Sequence, residues 1–409
     1  MKTLPFIKGH KRFLAFGVML TFFSGFGQSY FFGIYNDSIR ADFGLSNTVF
    51  GSIYSGITML SAVMLMFAGK LIDRLPLPLY AAGVVCLLTL ACLLMGVAGS
   101  LLFLVLAMFL LRFSGQGLMT HTASTSMSRY FDKTRGRAIA IGNLGFSLGA
   151  VVLPLLAVRL LDQAPWQQNY MLYALCVALG VLPLVLWLLK GHAVRHATWQ
   201  KAQDEKALQN PLDAIDDWTR KRVLKDWRFY LVLPGIMAEA LVNTGVHFYL
   251  GRVAEAKNWP MEVMATSLSV QAVAAVSFTI MAGLLVDRMG SLKLLPFIPL
   301  PLCIGLFVLA GFDHFMVAYI YMFLSGLGKG FLGAAGTALW AEFYGVKHIG
   351  SIKSLVMMVT VLSTAVMPPL LGYLFDQGVS MDIIAPGLGI YVFMGALLTL
   401  PVARSGKKA

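Results

Sequence analysis

Two stretches decide the fold: Met66-Phe67-Ala68-Gly69-Lys70-Leu71-Ile72-Asp73-Arg74-Leu75-Pro76 and, at an offset of 214 residues, Ile280-Met281-Ala282-Gly283-Leu284-Leu285-Val286-Asp287-Arg288-Met289-Gly290. In each, a long apolar run ends in a glycine, a short apolar turn and an Asp-Arg pair. A second pair of marks, Gly115-Gln116-Gly117 and Gly328-Lys329-Gly330, repeats at an offset of 213. Two features at nearly one spacing point to a duplicated unit.

Working outward from these marks, the chain reads as a series of apolar runs. Of its 409 residues 58% are hydrophobic and only 12% are charged, which is too apolar a composition for a water-soluble core. Runs long enough to cross the hydrocarbon lie at Phe13–Tyr35, Asn47–Ala68, Leu79–Val97, Leu101–Met127, Ala138–Val158 and Tyr170–Leu189. After a polar stretch come Phe229–Leu250, Val263–Val286, Leu294–Phe312, Met316–Trp340, Leu355–Leu374 and Ile384–Val402. The expectation is an all-α membrane protein, with twelve transmembrane helices in two six-helix pseudo-symmetric halves. The halves are placed at residues 1–190 and 229–409. A cytoplasmic linker at 191–228 carries Leu212, Ile215, Trp218 and Val223 at the spacing of an interfacial helix. The first run is too long to be a removable signal peptide, and no small-residue cleavage site follows it.

Charge sets the orientation. Outer connections hold only Arg40, Arg159, Arg252 and Lys257, Arg112 and Lys329 fall inside runs, and the other Lys and Arg lie on one side. Basic residues are retained in the cytoplasm, so both termini are expected there. The net charge of +13 is spread over many short segments, which suits topology and contact with anionic lipid and argues against nucleic acid. Cys86, Cys92, Cys176 and Cys303 all sit inside runs without metal-ligand spacing. No metal or cofactor is expected.

The repeated G-x-L-x-D-R loop, with Arg112, Gly115 and Gly117 in the fourth run, resembles the signature motifs of the major facilitator superfamily. That resemblance implies two halves rocking about a central site. It also implies that Asp73, Arg74, Asp287 and Arg288 latch one conformation, for instance by Asp73 meeting Arg129. The first copy departs from the pattern at Pro76, where a glycine is usual, so Asp73 is expected to matter less than Asp287. The segment Thr219–Tyr230 is similar to its counterpart in bacterial oxalate/formate and monocarboxylate-type carriers.

A charge near the bilayer centre costs about 2.5–3.5 kcal/mol on insertion scales, so each asks for a partner or a cavity. Such charges are Arg112 in the fourth run, Glu239 in the seventh and Lys329 in the tenth. Arg112, Gln116 and Thr120 fall on one helical stripe. Glu239, Asn243 and His247 fall on another, while Gln28 and Tyr30 add polar groups to the first run. The expected substrate-binding set is Gln28, Tyr30, Arg112, Gln116, Asn243 and Lys329, with Glu239 and His247 coupling a proton. Two cations against one carboxylate suit a small monoanion, so the expected function is a proton-coupled secondary transporter of an organic anion, a carboxylate in kind. It is expected to work as a monomer in the bacterial inner membrane.

Each residue also has a structural reading: Glu239 and Lys329 as a packing ion pair, Arg112 as a donor to backbone carbonyls, His121 as a packing histidine. A carrier of a neutral, aromatic or drug-like solute is the alternative, and a polytopic membrane enzyme is a distant one. Gly328-Lys329-Gly330-Phe331-Leu332-Gly333 fits a nucleotide-binding pattern, but it lies inside an apolar run and reads as close helix packing. Gly145 and Gly149 form a small-xxx-small pair in the fifth run.

Overall fold

The computed structural model describes residues 3–131, 134–209, 218–345 and 349–404, and every regular element among them is helical. Among the described residues eleven helices are long and apolar enough to span a membrane, from Asn47–Asp73 to Met381–Arg404. The first expected span is not among them, because it is broken. Helix Thr3–Phe23 passes into a 3-10 turn at Ser24–Gly27, Gln28 is extended (φ −84°, ψ 154°), and a new helix runs over Ser29–Phe43. This corrects the continuous Phe13–Tyr35 helix. A side chain on Gly27 would collide with the Leu111 carbonyl and the Gln116 amide, so the glycine lets the fourth span close on the break.

By contacts the chain groups into two compact units: Met1–Phe32 with Ile57–Ala214, and Gly33–Gly56 with Ile215–Ala409. In the first unit the fifth span, Arg135–Leu161, presses on the first. Side chains at Gly145 and Gly149 would strike the backbone at Val18 and Phe22, and Thr21 Oγ1 donates to the Gly142 carbonyl at 2.6 Å. The small-xxx-small pair is therefore a helix contact. The fourth span is α-helical over Leu101–Leu110, widens to a π-helix over Leu111–Met119 and returns to α over Thr120–Tyr130. That wide turn shifts the register of the expected Arg112, Gln116, Thr120 stripe.

In the second unit the seventh span (Trp227–Phe248) is one continuous helix. The eighth (Met261–Met289) and tenth (Met316–Tyr344) interlock through glycine. A Cβ on Gly326 would lie 2.5 Å from the Gln271 carbonyl, and one on Gly330 would lie 2.7 Å from that of Ala275. The Gly-rich stretch around Lys329 is thus packing, as expected.

The segment Gly33–Gly56 belongs to this unit through named bonds. Asn36 Nδ2 donates to the Phe248 carbonyl at 2.7 Å, and the Tyr249 hydroxyl lies 2.7 Å from Asn47 O and 3.0 Å from Pro368 O. Asp376 accepts from the Asn47 amide and side chain (3.1 and 2.9 Å) and from the Thr48 amide and hydroxyl (2.7 and 2.5 Å). Helix Asn47–Ala68 has no acidic residue in its own first turn, and Asp376 supplies that anion from the eleventh span. Nearby, Lys257 Nζ bonds Asp313 at 2.7 Å and Asp382 at 2.6 Å, tying the ends of three helices together. Burial opposes the Lys257 charge, but the two carboxylates outweigh it and hold its pKa above the ordinary lysine value.

Of the linker residues, Leu212 and Ile215 lie outside the described residues. Trp218 sits 5.2 Å from the Tyr344 ring, and Val223 is buried in a core with Phe229, Trp340 and Tyr344. These two apolar side chains are used for packing within the second unit.

Candidate substrate and coupling site

The site residues on the first unit gather at the break in the first span. Arg112, 3% exposed, donates from Nη1 to the Gly27 carbonyl at 2.7 Å. A helix that stops mid-membrane strands its last carbonyls, and a guanidinium is a strong way to satisfy one. One arm of Arg112 thus does the structural work its alternative reading gave it. Gln28 and Tyr30 are buried on either side of the restart, and the Gln28 carbonyl accepts from the amides of Phe31 (3.1 Å) and Phe32 (3.3 Å). Gln116 is half-buried, and its carbonyl takes the Thr120 hydroxyl. The aromatic residues of the first span are largely consumed in packing: Phe26 and Phe31 lie 5.0 and 5.6 Å from Tyr173 of the sixth span.

On the second unit, Glu239 sits at the centre of a buried polar cluster. Asn243, one turn on, donates to the Glu239 carbonyl at 2.9 Å and also to its carboxyl Oε1. The Ser325 hydroxyl lies 3.2 Å from Oε1 and 2.9 Å from Asn243 Oδ1. Gln271 donates to Asn243 Oδ1 (3.1 Å) and to Ser325 Oγ (2.9 Å). Asn243 and Ser325 both donate to one carboxyl oxygen, and Gln271 holds those two in place. The other, Oε2, is buried without a hydrogen-bond partner among the described residues and faces Gly328, where a Cβ would stand 3.2 Å away. Lys329 interacts electrostatically with both Glu239 and His247. His247 is 5% exposed, and its backbone carbonyl presses on Gly33, where any side chain would clash.

Asn243 was expected beside Glu239. Gln271 of the eighth span and Ser325 of the tenth were not, although a buried glutamine in an apolar run is itself a signal. His121 packs its ring 3.2 Å from the Cβ position of Gly69, which fits its reading as a packing residue.

At the repeated loops, Arg129 pairs with Asp73 and donates to the Ile72 carbonyl at 3.2 Å. The partner proposed for Asp73 is therefore the one it has. Arg74 and Arg288 are exposed, and the Asp287 side chain lies outside the described residues. In the second loop Glu342 accepts from the Ser291 amide (3.2 Å) and hydroxyl (2.7 Å).

A helical membrane protein with a repeated loop between its spans and buried charges inside them has the make-up of a transporter. Comparison with known families agrees. Residues 17–313 and 232–409 match the model of the Major Facilitator Superfamily, and the chain belongs to that family. It is a transporter working by alternating access, and not an enzyme. Its fold is similar to that of the nucleoside transporter NupG, crystallised as a mutant, at TM-score 0.69 and 14% identity over 95% of this chain and 100% of that one. It is also similar to a bacterial homologue of the human lysosomal transporter Spinster, inward-facing and unoccupied, at TM-score 0.64 and 15% identity over 97% of this chain and 95% of that one. A comparison with curated protein sequences finds no match.

Proposed function

We propose that this transporter moves a small organic anion, a carboxylate in kind, together with a proton across the bacterial cytoplasmic membrane. Both termini lie on the cytoplasmic side, and a single chain is the working unit. The observation that carries this reading is the two-sided environment of Glu239: Oε1 is held by Asn243 and Ser325, while Oε2 has no hydrogen-bond partner among the described residues. A carboxyl fixed at one oxygen and open at the other has a defined place for a proton.

Lys329, within electrostatic reach, offers the same cation to Glu239 and to an incoming anion. When the anion takes that cation, Glu239 loses its counter-charge and is neutralised by a proton. When the anion leaves, the proton leaves with it. Arg112 supplies a second cation, with Gln28, Tyr30, Gln116 and Asn243 as polar contacts and His247, two turns on from Glu239, assisting the proton coupling.

The test compares exchange with gradient-driven uptake in vesicles. Glu239→Gln keeps solute exchange and loses uptake driven by a pH gradient, and Lys329→Ala abolishes anion binding. If the pair is only structural, Glu239→Gln removes the charge that compensates Lys329 at a cost of roughly 3–5 kcal/mol. The protein then folds poorly, and adding Lys329→Met restores both folding and gradient-driven uptake. Full gradient-driven uptake by that double variant overturns the coupling role.

NupG's nucleoside keeps a neutral planar solute as a second reading. Uptake unaffected by substrate charge, with Lys329→Ala still binding, would select it.

A further inference from the structure

One side of the second unit carries an apolar groove that neither the Glu239 cluster nor the cytoplasmic loops use. The seventh, eleventh and twelfth spans part there and leave about 400 Å3. Leu241, Val366, Leu370 and Ile383 wall it, and Tyr391 closes one end. Val366 and Ile383 are 56% and 67% exposed on helices of membrane-crossing length, so the groove opens toward lipid tails. Gly387 lies in its wall, and a Cβ there meets nothing within 4 Å. That glycine serves no close helix contact, and its missing side chain keeps the groove hollow.

At the other end the groove runs into a second hollow of about 280 Å3, lined by Arg252, Glu255, Phe375 and Ser380, with Val379 common to both. Arg252 pairs with Glu255, and its guanidinium carbon lies 5.8 Å from the Phe375 ring centre. Its Nε is buried without a hydrogen-bond partner among the described residues. From Ser380 to Tyr391 the helix rises about 16 Å at about 1.5 Å per residue. That is about half of the ~30 Å hydrocarbon thickness. A charged rim at the helix ends and a dry channel reaching mid-bilayer have the dimensions of one headgroup and one acyl chain.

The rim carries one cation and one anion, so it is neutral as a whole. A purely anionic headgroup would meet Glu255 as well as Arg252. A phosphoethanolamine headgroup offers phosphate oxygens to Arg252 and a primary ammonium to Glu255 at once, and a quaternary ammonium has no N–H to donate. We infer that this groove holds one phosphatidylethanolamine-type lipid, with its chain against Gly387 and its headgroup across Arg252 and Glu255.

The whole chain is to be reconstituted in bilayer discs of equal parts phosphatidylethanolamine, phosphatidylglycerol and phosphatidylcholine, and the lipids it retains weighed by native mass spectrometry. The expected result is retention of phosphatidylethanolamine about fivefold above either competitor. Arg252→Gln with Glu255→Gln removes that preference, and Gly387→Trp, which fills open space, removes retention. A phosphatidylethanolamine with a photoreactive group on its chain should label residues 366–391. Equal retention of the three lipids, preference for the anionic one, or labelling spread evenly over the lipid-facing spans overturns the inference. Should Gly387→Trp fail to fold, the labelling map of the unaltered protein decides alone.

Discussion

The two copies of the signature loop share a sequence pattern and end their helices differently. In the first, α-helix stops at Ala68, a 3-10 turn covers Gly69–Asp73, and Pro76 (φ −55°) starts the next helix. In the second, α-helix continues to Met289 and stops at Gly290, whose φ of +81° is open to glycine and strained for other residues. Their anchors differ in sign as well. An arginine, Arg129, grips Asp73 and the Ile72 carbonyl in the first loop, while a glutamate, Glu342, grips Ser291 in the second. Duplication supplied one motif, and each copy then acquired its own way of being held. A motif therefore locates a loop without specifying its geometry.

The largest expected effect breaks the second loop. Gly290→Ala forces a side chain into a backbone region used almost only by glycine, and should destabilise the protein by about 1–3 kcal/mol. Thermal unfolding in detergent measures it, and an unchanged Tm would reject the capping role.

Next come the loop carboxylates. Asp287→Asn should cut transport more than Asp73→Asn, with equilibrium substrate affinity within about tenfold, or ~1.4 kcal/mol, of the unaltered protein in both. Normal transport in both single variants and the double variant would remove the latch.

A third contrast is pH. One end of the first unit holds His192, whose ring stacks 5.5 Å from Phe13 beside Tyr130. Burial, with Arg195, His196 and Arg129 nearby, pushes its pKa down to about 4. The neutral ring favours the folded state, so this stability is complete above the unfolded histidine pKa of about 6.5 and is lost as pH falls toward 4. Tm should drop by the equivalent of a few kcal/mol at most over that window, and His192→Leu should flatten the profile. The Trp218–Tyr344 contact at the matching end of the second unit involves no histidine.

The smallest effect is Pro76→Gly, which gives the first loop the second loop's residue. It should cost no more than ~1 kcal/mol, mainly through unfolded-chain entropy. A larger loss would mean that Pro76 does more than start a helix.

The fold was legible because its cause is written in long apolar runs and a repeated loop. The close helix contacts were legible in part, since Gly145, Gly149 and Gly330 stood at packing spacing. The break in the first span was not. Hydropathy averages over Ser24–Gln28, and only the pair Gly25 and Gly27, with a fourth-span arginine to cap the stranded carbonyl, marks it. The candidate site was legible on the seventh span, where Glu239 and Asn243 are one turn apart. Ser325 reaches the same carboxyl from another helix and Gln271 holds Ser325 and Asn243 from a third, and local spacing carries no information about that. Asp376 was missed for a similar reason: it caps a helix that starts 329 residues earlier.

The broken first span also has a signature in amide exchange. At Ser24–Gln28 the ladder of i→i−4 bonds is interrupted: the Gln28 amide reaches back only to Gly25, and two later amides share the Gln28 carbonyl. Backbone held by fewer bonds opens locally at lower free energy. The seventh span is unbroken over Trp227–Phe248. Deuterium uptake should therefore rise more at Ser24–Gln28 than around Pro234, where the seventh span lacks a single ladder bond.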